Sequence, residues 1–227
     1  QAFVSDTFGY TASQLDLTSL SGQNIRFRFR IGTDNIIDDF GWFIDDVVVI
    51  TGATLFNDPE DWESGLGDWY TDKGTWEVGP APGGSAYSGL NYAGTVLNGN
   101  YHANVSSRLI SPVFSVPGIS QNPRLRFWQW YSISSGDQGR VQIKTRSGNW
   151  ETISPSYVNT GSNTWTRPSI DLSAYADSTV QIAFYFTSDA SGFTVSSGWF
   201  IDDIEIVTGA IVFNNPENWE SGLGDWY

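Results

Sequence analysis

The sequence predicts an all-β protein, an antiparallel β-sandwich of the jelly-roll type, arranged as tandem repeats of about 157 residues. Three observations support this class. Short apolar segments alternate with polar residues at period two, which is typical of half-buried strands. Aromatic residues make up 15% of the chain and glycines number 24, so strand formers and turn formers are both abundant. One block of sequence occurs twice, and no segment of useful length has a helical period.

The duplicated block sets the domain organisation. Residues 41–46 (GWFIDD) return as residues 198–203, and both copies continue through similar sequence to ESGLGDWY at 63–70 and 220–227. The offset of 157 positions is the length of one compact domain. We therefore expect a window on a longer tandem array. Residues 1–52 are the C-terminal part of one repeat, residues 53–209 are a complete repeat, and residues 210–227 start the next.

The first predicted strand lies in the partial repeat. In residues 25–31 apolar side chains alternate with Arg26, Arg28 and Arg30. The copy at 180–186 keeps the apolar face and has no arginine, so the fold does not require the arginine row. We expect residues 1–52 not to fold alone, because half a sandwich leaves strand edges and an apolar face uncovered.

Further strands are predicted along the complete repeat. Alternation and β-forming residues mark residues 108–110, 125–131, 141–146, 150–153 and 199–207. The sequences LNGN at 97–100 and SGN at 147–149 are typical of hairpin turns. Many short strands with such turns between them indicate a sandwich.

The strand 199–207 carries an unusual carboxylate. Alternation places Asp202 on one face with Phe200, Ile204 and Ile206, as it places Asp45 in an apolar row of the first copy. A carboxylate among core residues must be paired, hydrogen-bonded or bound to a cation.

An acidic cluster opens the complete repeat. Residues 57–63 (NDPEDWE) hold four acids next to Trp62. Oxygen-rich clusters suit calcium, a hard cation that takes roughly six to eight oxygen ligands, and suit zinc or copper poorly. The sequence therefore favours calcium as the cation of this region.

The charge of the chain argues against several partners. A net charge of −14 disfavours nucleic acid and anionic membrane surfaces. No apolar run is long enough to span a bilayer, so no direct membrane insertion is expected. The chain has no cysteine and therefore neither disulfides nor thiolate metal sites.

Five motifs resemble, in order and spacing, the MAM-like jelly-roll domains. They are WESG at 62–65, LISP at 109–112, LRFWQWY at 125–131, DLS at 171–173 and GWFIDD at 198–203. Such domains occur at the C-terminal ends of immune inhibitor A type secreted peptidases and in bacterial surface and adhesin repeat proteins. The resemblance implies an accessory domain outside the cytoplasm, extracellular or at the cell surface, and not the peptidase itself.

The resemblance also implies a metal site. Related jelly rolls, including several carbohydrate-binding modules, often hold a structural calcium between a glutamate of the first strand and an aspartate of the last. The matching positions are Glu63 and Asp202, their neighbours Asp61 and Asp203, and Asp45 and Glu220 as halves of adjoining sites. The alternative is a carboxylate that is hydrogen-bonded to main-chain amides.

Catalysis is not predicted. The peptidases that carry such domains need a His-Glu-x-x-His zinc helix, and the one histidine, His102, lies in no such motif. The Gly-x-Ser-x-Gly motif of hydrolases is absent from the sequence. Asp202 and Asp203 are strand neighbours that point in opposite directions, unlike the facing carboxylates of a glycosidase.

Two functions remain. The first is a structural stalk, sheath, filament or adhesin of calcium-stabilised repeats, because residues 207–213 join two repeats without a flexible linker. Its partners are neighbouring repeats of the same protein, up to a homopolymer. The second is a tandem carbohydrate-binding array that gains avidity for glycans. The candidate sugar-stacking rings, which form sandwich core in the other interpretation, are Trp128, Trp130, Tyr131, Trp150 and Trp165.

Overall fold

The computed structural model describes residues 9–36, 40–74, 76–81, 84–159, 164–190, 195–220 and 222–227. The chain divides into two compact units. The larger holds Thr54–Tyr227 with the residues up to Ser13, and the smaller is Gln14–Ala53. The described helical segments are the short 3-10 turns Thr18–Leu20 (η1), Ile119–Gln121 (η2) and Ser173–Tyr175 (η3). Among the described residues, no helix is long and apolar enough to cross a membrane.

All strands assigned to described residues lie in the larger unit. They are β1 Tyr70–Thr71, β2 Glu77–Pro80, β3 Asn91–Gly94, β4 Ser106–Ile110, β5 Phe114–Ser115, β6 Arg124–Ser132, β7 Gln138–Thr145, β8 Glu151–Thr152, β9 Ser169–Asp171, β10 Thr179–Thr187 and β11 Gly198–Val207.

These strands form two antiparallel sheets. The first has the order β1-β4-β10-β7-β8, with β5 beside β10, and the second has the order β2-β3-β11-β6-β9. The chain changes sheet after β1, β3, β5, β6, β8, β9 and β10, and such repeated crossing between two antiparallel sheets is typical of a jelly roll. The predicted antiparallel sandwich is therefore confirmed.

One predicted turn is correct and the other is wrong. Residues 147–149 close the hairpin of β7 and β8, where Gly148 N donates to Thr145 O at 3.0 Å. Residues 97–100 instead connect β3 to β4, which belong to different sheets. A sequence such as LNGN permits a tight turn, and whether the chain then stays in one sheet depends on the rest of the fold.

Most period-two segments of the sequence are strands. Predicted segments 108–110, 125–131 and 199–207 lie within β4, β6 and β11, and 141–146 overlaps β7. Residues 25–31 carry no strand, although the copy 180–186 lies in β10. β10 pairs with β4 and β7 on its two sides. Residues 25–31 have no such paired neighbours among the described residues, and the prediction of a strand there is wrong.

The core between the two sheets is rich in aromatic rings. Phe184 of β10 meets Trp199 of β11 at 5.5 Å and Phe127 of β6 at 5.0 Å between ring centroids. Trp62 and Trp69, which precede β1, are fully buried in the same cluster. Edge-to-face ring pairs stabilise a fold by about 0.5–1.5 kcal/mol each beyond their burial. The core thus holds the residues before β1 firmly against the sandwich.

A β-bulge in β11 places the residues after Asp203 on faces that differ from those predicted. The pairing of β11 with β6 shifts register between Asp202 and Glu205, and Asp203 has a φ of 43°. Ile204 therefore joins the core side with Trp199 and Ile201, whereas Phe200 and Asp202 lie on the outer face. The predicted common face of Asp202 and Ile204 is wrong, because strict alternation does not survive a bulge.

Candidate functional site

Aromatic side chains cover the outer face of the second sheet. Alternation along β6 turns Leu125 and Phe127 into the core and leaves Trp128 and Trp130 on the outside, half-buried. Trp130 packs on Phe200 of β11, with the two ring centroids 5.2 Å apart. The outer face therefore presents rings supplied by two neighbouring strands.

A cleft of about 510 Å³ opens beside Trp128. Tyr87, from the loop between β2 and β3, stacks on Trp128 with ring centroids 3.7 Å apart and an interplanar angle of 14°. Trp165 stands edge-on to Tyr87 at 6.3 Å. Tyr87 is 42% exposed, so one side of the stacked pair faces the cleft. Leu223 and Tyr227, which follow the last strand, complete the lining.

Charged groups of both signs border the same cleft. The Arg167 guanidinium lies 5.7 Å from the ring centroid of Trp128 and forms an ion pair with Glu205. Asp203 lines the adjoining part of the cleft and accepts a hydrogen bond of 2.9 Å from Ser88 Oγ. Burial lowers the pKa of Arg167 from its usual range. Flat rings next to donors and acceptors suit a neutral ligand that has an apolar face and hydroxyl groups.

Asp202 lies beneath the loop that carries Tyr87. Its side chain is fully buried, with Oδ2 accepting from Ser88 N at 3.1 Å and Oδ1 accepting from Asp203 N at 2.9 Å. Burial, together with the nearby charge of Asp203, raises the pKa of Asp202 to about 7. The buried carboxylate is therefore bound to main-chain amides.

Glu63 holds the other end of the same loop. Its Oε1 accepts hydrogen bonds of 2.7 Å from Leu90 N and from Asn91 N, and these two bonds lower the pKa of Glu63. At Gly89, where φ is +57°, an added Cβ would lie 2.4 Å from Glu63 Oε1. A side chain at position 89 would therefore displace the glutamate. Glu63 and Asp202 together fix the segment 88–91 by its backbone.

The remaining predicted calcium ligands make local contacts. Asp61 Oδ1 accepts from Glu63 N at 3.1 Å, and Asp45 Oδ1 accepts from Asp46 N at 2.9 Å. Glu220 N donates to Asn218 Oδ1 at 3.2 Å. Within the described residues, no three His, Cys, Asp or Glu side chains are grouped as a metal site. The calcium site stays a prediction.

One buried acid of the entrance cluster was not singled out from the sequence. Glu60 is 1% exposed, and its Oε2 accepts from Trp69 Nε1 at 3.1 Å and from Asn57 Nδ2 at 3.0 Å. Burial raises its pKa, although these hydrogen bonds oppose the rise. The sequence does contain a signal for Glu60, because Asn57, Glu60 and Trp69 recur at the same spacing as Asn214, Glu217 and Trp226.

The predicted sugar-stacking rings do not form one surface. The structure brings Trp128 and Trp165 to the cleft. Trp130 is covered by Phe200, and Tyr131 packs toward the core beside Tyr157 at 5.7 Å. Trp150 lies at the first sheet, with Lys144 Nζ 4.8 Å from its ring centroid. Tyr87 and Arg167 were not identified from the sequence, because both come from loops without a periodic pattern.

Comparison with known proteins gives likenesses in sequence and in fold. No family model matches the chain. Bacillopeptidase F of Bacillus subtilis is 29% identical over 201 residues, which cover 84% of this chain and 13% of that protein. The chain thus matches a small part of the length of this curated relative.

Two solved structures are similar to part of the chain. A cleaved adhesin domain of Lys-gingipain from Porphyromonas gingivalis has a TM-score of 0.46 and 21% identity, covering 70% of this chain and 100% of that chain. A family 61 carbohydrate-binding module in complex with β-1,4-galactotriose has a TM-score of 0.43 and 20% identity, covering 66% of this chain and 94% of that chain.

Proposed function

We propose that the complete repeat is a non-catalytic, extracellular adhesive module that binds neutral glycans at the aromatic cleft. The observation that carries this proposal is the stacked pair of Tyr87 and Trp128, with Trp165 at its edge, in a cleft that also offers Arg167 and Asp203. Pyranose rings have apolar C–H faces that pack on aromatic rings, and hydroxyl groups that accept and donate hydrogen bonds.

The charge of the site supports a neutral ligand. Arg167 is paired with Glu205, and Asp203 adds a further carboxylate to the cleft wall. The chain as a whole carries a net charge of −14, which repels acidic polymers. A neutral oligosaccharide avoids this repulsion and still meets donors and acceptors.

Calorimetric titration of the whole chain with soluble oligosaccharides of galactose, xylose, glucose and mannose tests the proposal. We expect at least one of them to bind, and Trp128→Ala to weaken that binding by roughly tenfold or more, because the stacking surface is lost. Trp150→Ala, on the other sheet, is the matched control and should bind as the wild type does. Absence of binding in the whole panel, or equal losses in both variants, would contradict the proposal.

The absence of catalysis is part of the same proposal. The sequence has no His-Glu-x-x-His motif, and its relative Bacillopeptidase F matches over a small part of its own length. The buried carboxylates Asp202 and Glu60 are engaged by amide and indole donors. An accessory role beside a separate catalytic domain fits these observations.

A structural stalk is the second candidate, and the junction favours it. β11 ends at Val207, and Gly209 N already donates to Gln121 O of the same domain at 2.7 Å. The chain therefore enters the following repeat without a free linker. A low rate of amide hydrogen exchange in residues 210–227 would support a rigid joint, and exchange at the rate of an unstructured peptide would exclude it.

A further inference from the structure

We infer that Arg124 and Arg126 of β6 form a receptor for the turn 222–227, which opens the following repeat. This inference deepens the structural function and does not depend on sugar binding at the cleft. The partner is the next repeat of the same chain, recognised through main-chain carbonyls and one carboxylate.

Arg126 supplies the centre of the receptor. Its side chain is 2% exposed, with Nη1 donating to Gly224 O at 2.5 Å and Nη2 donating to Trp226 O. Burial lowers the pKa of Arg126 to about 10. A buried guanidinium is costly unless acceptors surround it, and this turn supplies two carbonyls at the spacing of the guanidinium fork.

Arg124 holds the approach to the turn. Its Nη1 donates to Gly209 O at 3.0 Å, and its Nη2 pairs with Asp225 Oδ1 at 3.3 Å. Asn122 Nδ2 also donates to Gly209 O, at 3.2 Å. The receptor therefore fixes Gly209, the last residue of the complete repeat, and binds the turn that opens the following repeat.

The turn has its own internal structure. Val212 N donates to Asp225 Oδ2 at 2.7 Å, as Leu55 N donates to Asp68 Oδ2 at 2.8 Å in the complete repeat. Gly224 has a φ of 55°, close to the 56° of its copy Gly67. A segment that is already ordered loses little conformational entropy when it docks.

The two sides of the turn have different neighbours. Its carbonyls accept hydrogen bonds from Arg126, whereas Trp226 and the preceding Trp219 remain 40% and 52% exposed. The copies of these tryptophans, Trp62 and Trp69, are 0% and 2% exposed in the core of the complete repeat. The backbone of the turn can therefore bind the preceding domain while its indole side chains remain available to pack in the core of the turn's own domain.

Hydrogen exchange of the whole chain, read by mass spectrometry, tests the inference. We expect Arg126→Ala to raise exchange of the amides in residues 210–227 by roughly tenfold or more, with β11 unchanged, because the charge-assisted bonds are lost. Arg140→Ala is the matched control, since Arg140 lies on β7 and bonds to Ser156 and Gln138. Wild-type exchange in Arg126→Ala would overturn the receptor.

A second variant guards against loss of the fold. Arg126→Lys keeps the charge, but one ammonium cannot reproduce the two-carbonyl fork, so partial deprotection of 210–227 is expected. Repeating the measurement at a tenfold lower protein concentration shows whether the docked turn belongs to the same chain or to a second molecule. If protection of the amides in residues 210–227 does not change with concentration, the turn and the arginines belong to the same chain. Protection that falls on dilution would assign the turn to a second copy and would overturn the same-chain junction.

Discussion

At the residue scale, two carboxylates fix one loop with opposite electrostatic consequences. Asp202 is buried, and burial raises its pKa to about 7. Glu63 accepts hydrogen bonds from two main-chain amides, and these bonds lower its pKa. The ionised form of Asp202 therefore destabilises the folded state, whereas the ionised form of Glu63 stabilises it. The stability from Glu63 is present above its unfolded pKa and is lost as the pH falls through its lower folded pKa.

The contribution of Asp202 to stability should decline as the pH rises. Its pKa is near 3.8 in the unfolded chain and about 7 in the folded one, so only the folded state holds this proton between those values. Protonated Asp202 therefore makes its largest contribution to the free energy of unfolding below the lower pKa. That contribution decreases as the pH rises from about 3.8 to about 7, and it no longer changes above the upper value. Urea unfolding of the wild type and of Asp202→Asn across the window measures the effect.

Asp202→Asn cannot titrate at this position and is the comparison for that experiment. The stability of the variant relative to the wild type should increase with pH through the window and then stay constant. Parallel curves for the two proteins would show that Asp202 does not bind a proton in this range.

At the element scale, the turn before β1 is organised by Glu60. Its carboxylate accepts hydrogen bonds from Asn57 Nδ2, from Trp69 Nε1 and from the main-chain N of Trp62. The chain contains the same turn twice, since Glu217 accepts from Trp226 Nε1 at 3.3 Å and from Asn214 Nδ2 at 3.0 Å. The first copy is buried in a core and the second is exposed.

Glu60→Ala should lower the free energy of unfolding of the domain by about 2–4 kcal/mol, because buried donors lose their acceptor. Glu217→Ala removes the same contacts in the largely exposed copy of the turn and should cost below about 0.5 kcal/mol. Denaturant unfolding of both variants measures the difference. Equal losses would mean that the exposed turn contributes to the cooperative core.

The elements differ in how far the sequence predicts them. β6 and β10 are nine residues long and carry buried apolar residues at every second position, Leu125 and Phe127 in β6 and Val180, Ile182, Phe184 and Phe186 in β10, so their existence and their core faces follow from period two. β1, β5 and β8 have two residues each, too few for a period to show. The bulge of β11 depends on its pairing with β6, which no local pattern records.

The same distinction holds for the candidate site. Trp128 follows from the alternation of β6, and Trp165 was selected as an aromatic residue. Tyr87 reaches Trp128 from a loop whose ends are held by Glu63 and Asp202. Contacts that depend on two distant carboxylates leave no signal at Tyr87 itself, so half of the cleft had to come from the structure.

At the scale of the whole molecule, local structure persists where the surrounding segments do not pair as strands. η1 and η3 have the same form, since Leu20 N donates to Leu17 O and Tyr175 N donates to Leu172 O, both at 2.8 Å. The strand pattern around η1 carries no sheet, whereas the pattern around η3 does. Turns of this protein are thus encoded locally, and strands need partners elsewhere in the chain.

Calcium should raise the melting temperature of the whole chain relative to a chelator, if Glu63 and Asp202 bind it as predicted. Binding to the folded state alone adds stability that grows with the calcium concentration. Asp202→Ala should lower the melting temperature in chelator and abolish the response to calcium. Differential scanning calorimetry measures both, and an undiminished calcium response in the variant would remove Asp202 from the site.

The arginine receptor also decides how tension would travel along the chain. A pull on residue 227 first meets the bonds from Arg126 to Gly224 and Trp226, and then those from Arg124 and Asn122 to Gly209. The ladder between β11 and β6 lies behind these contacts. The junction would therefore yield before the sandwich opens, so that residues 210–227 are released while the sandwich stays folded.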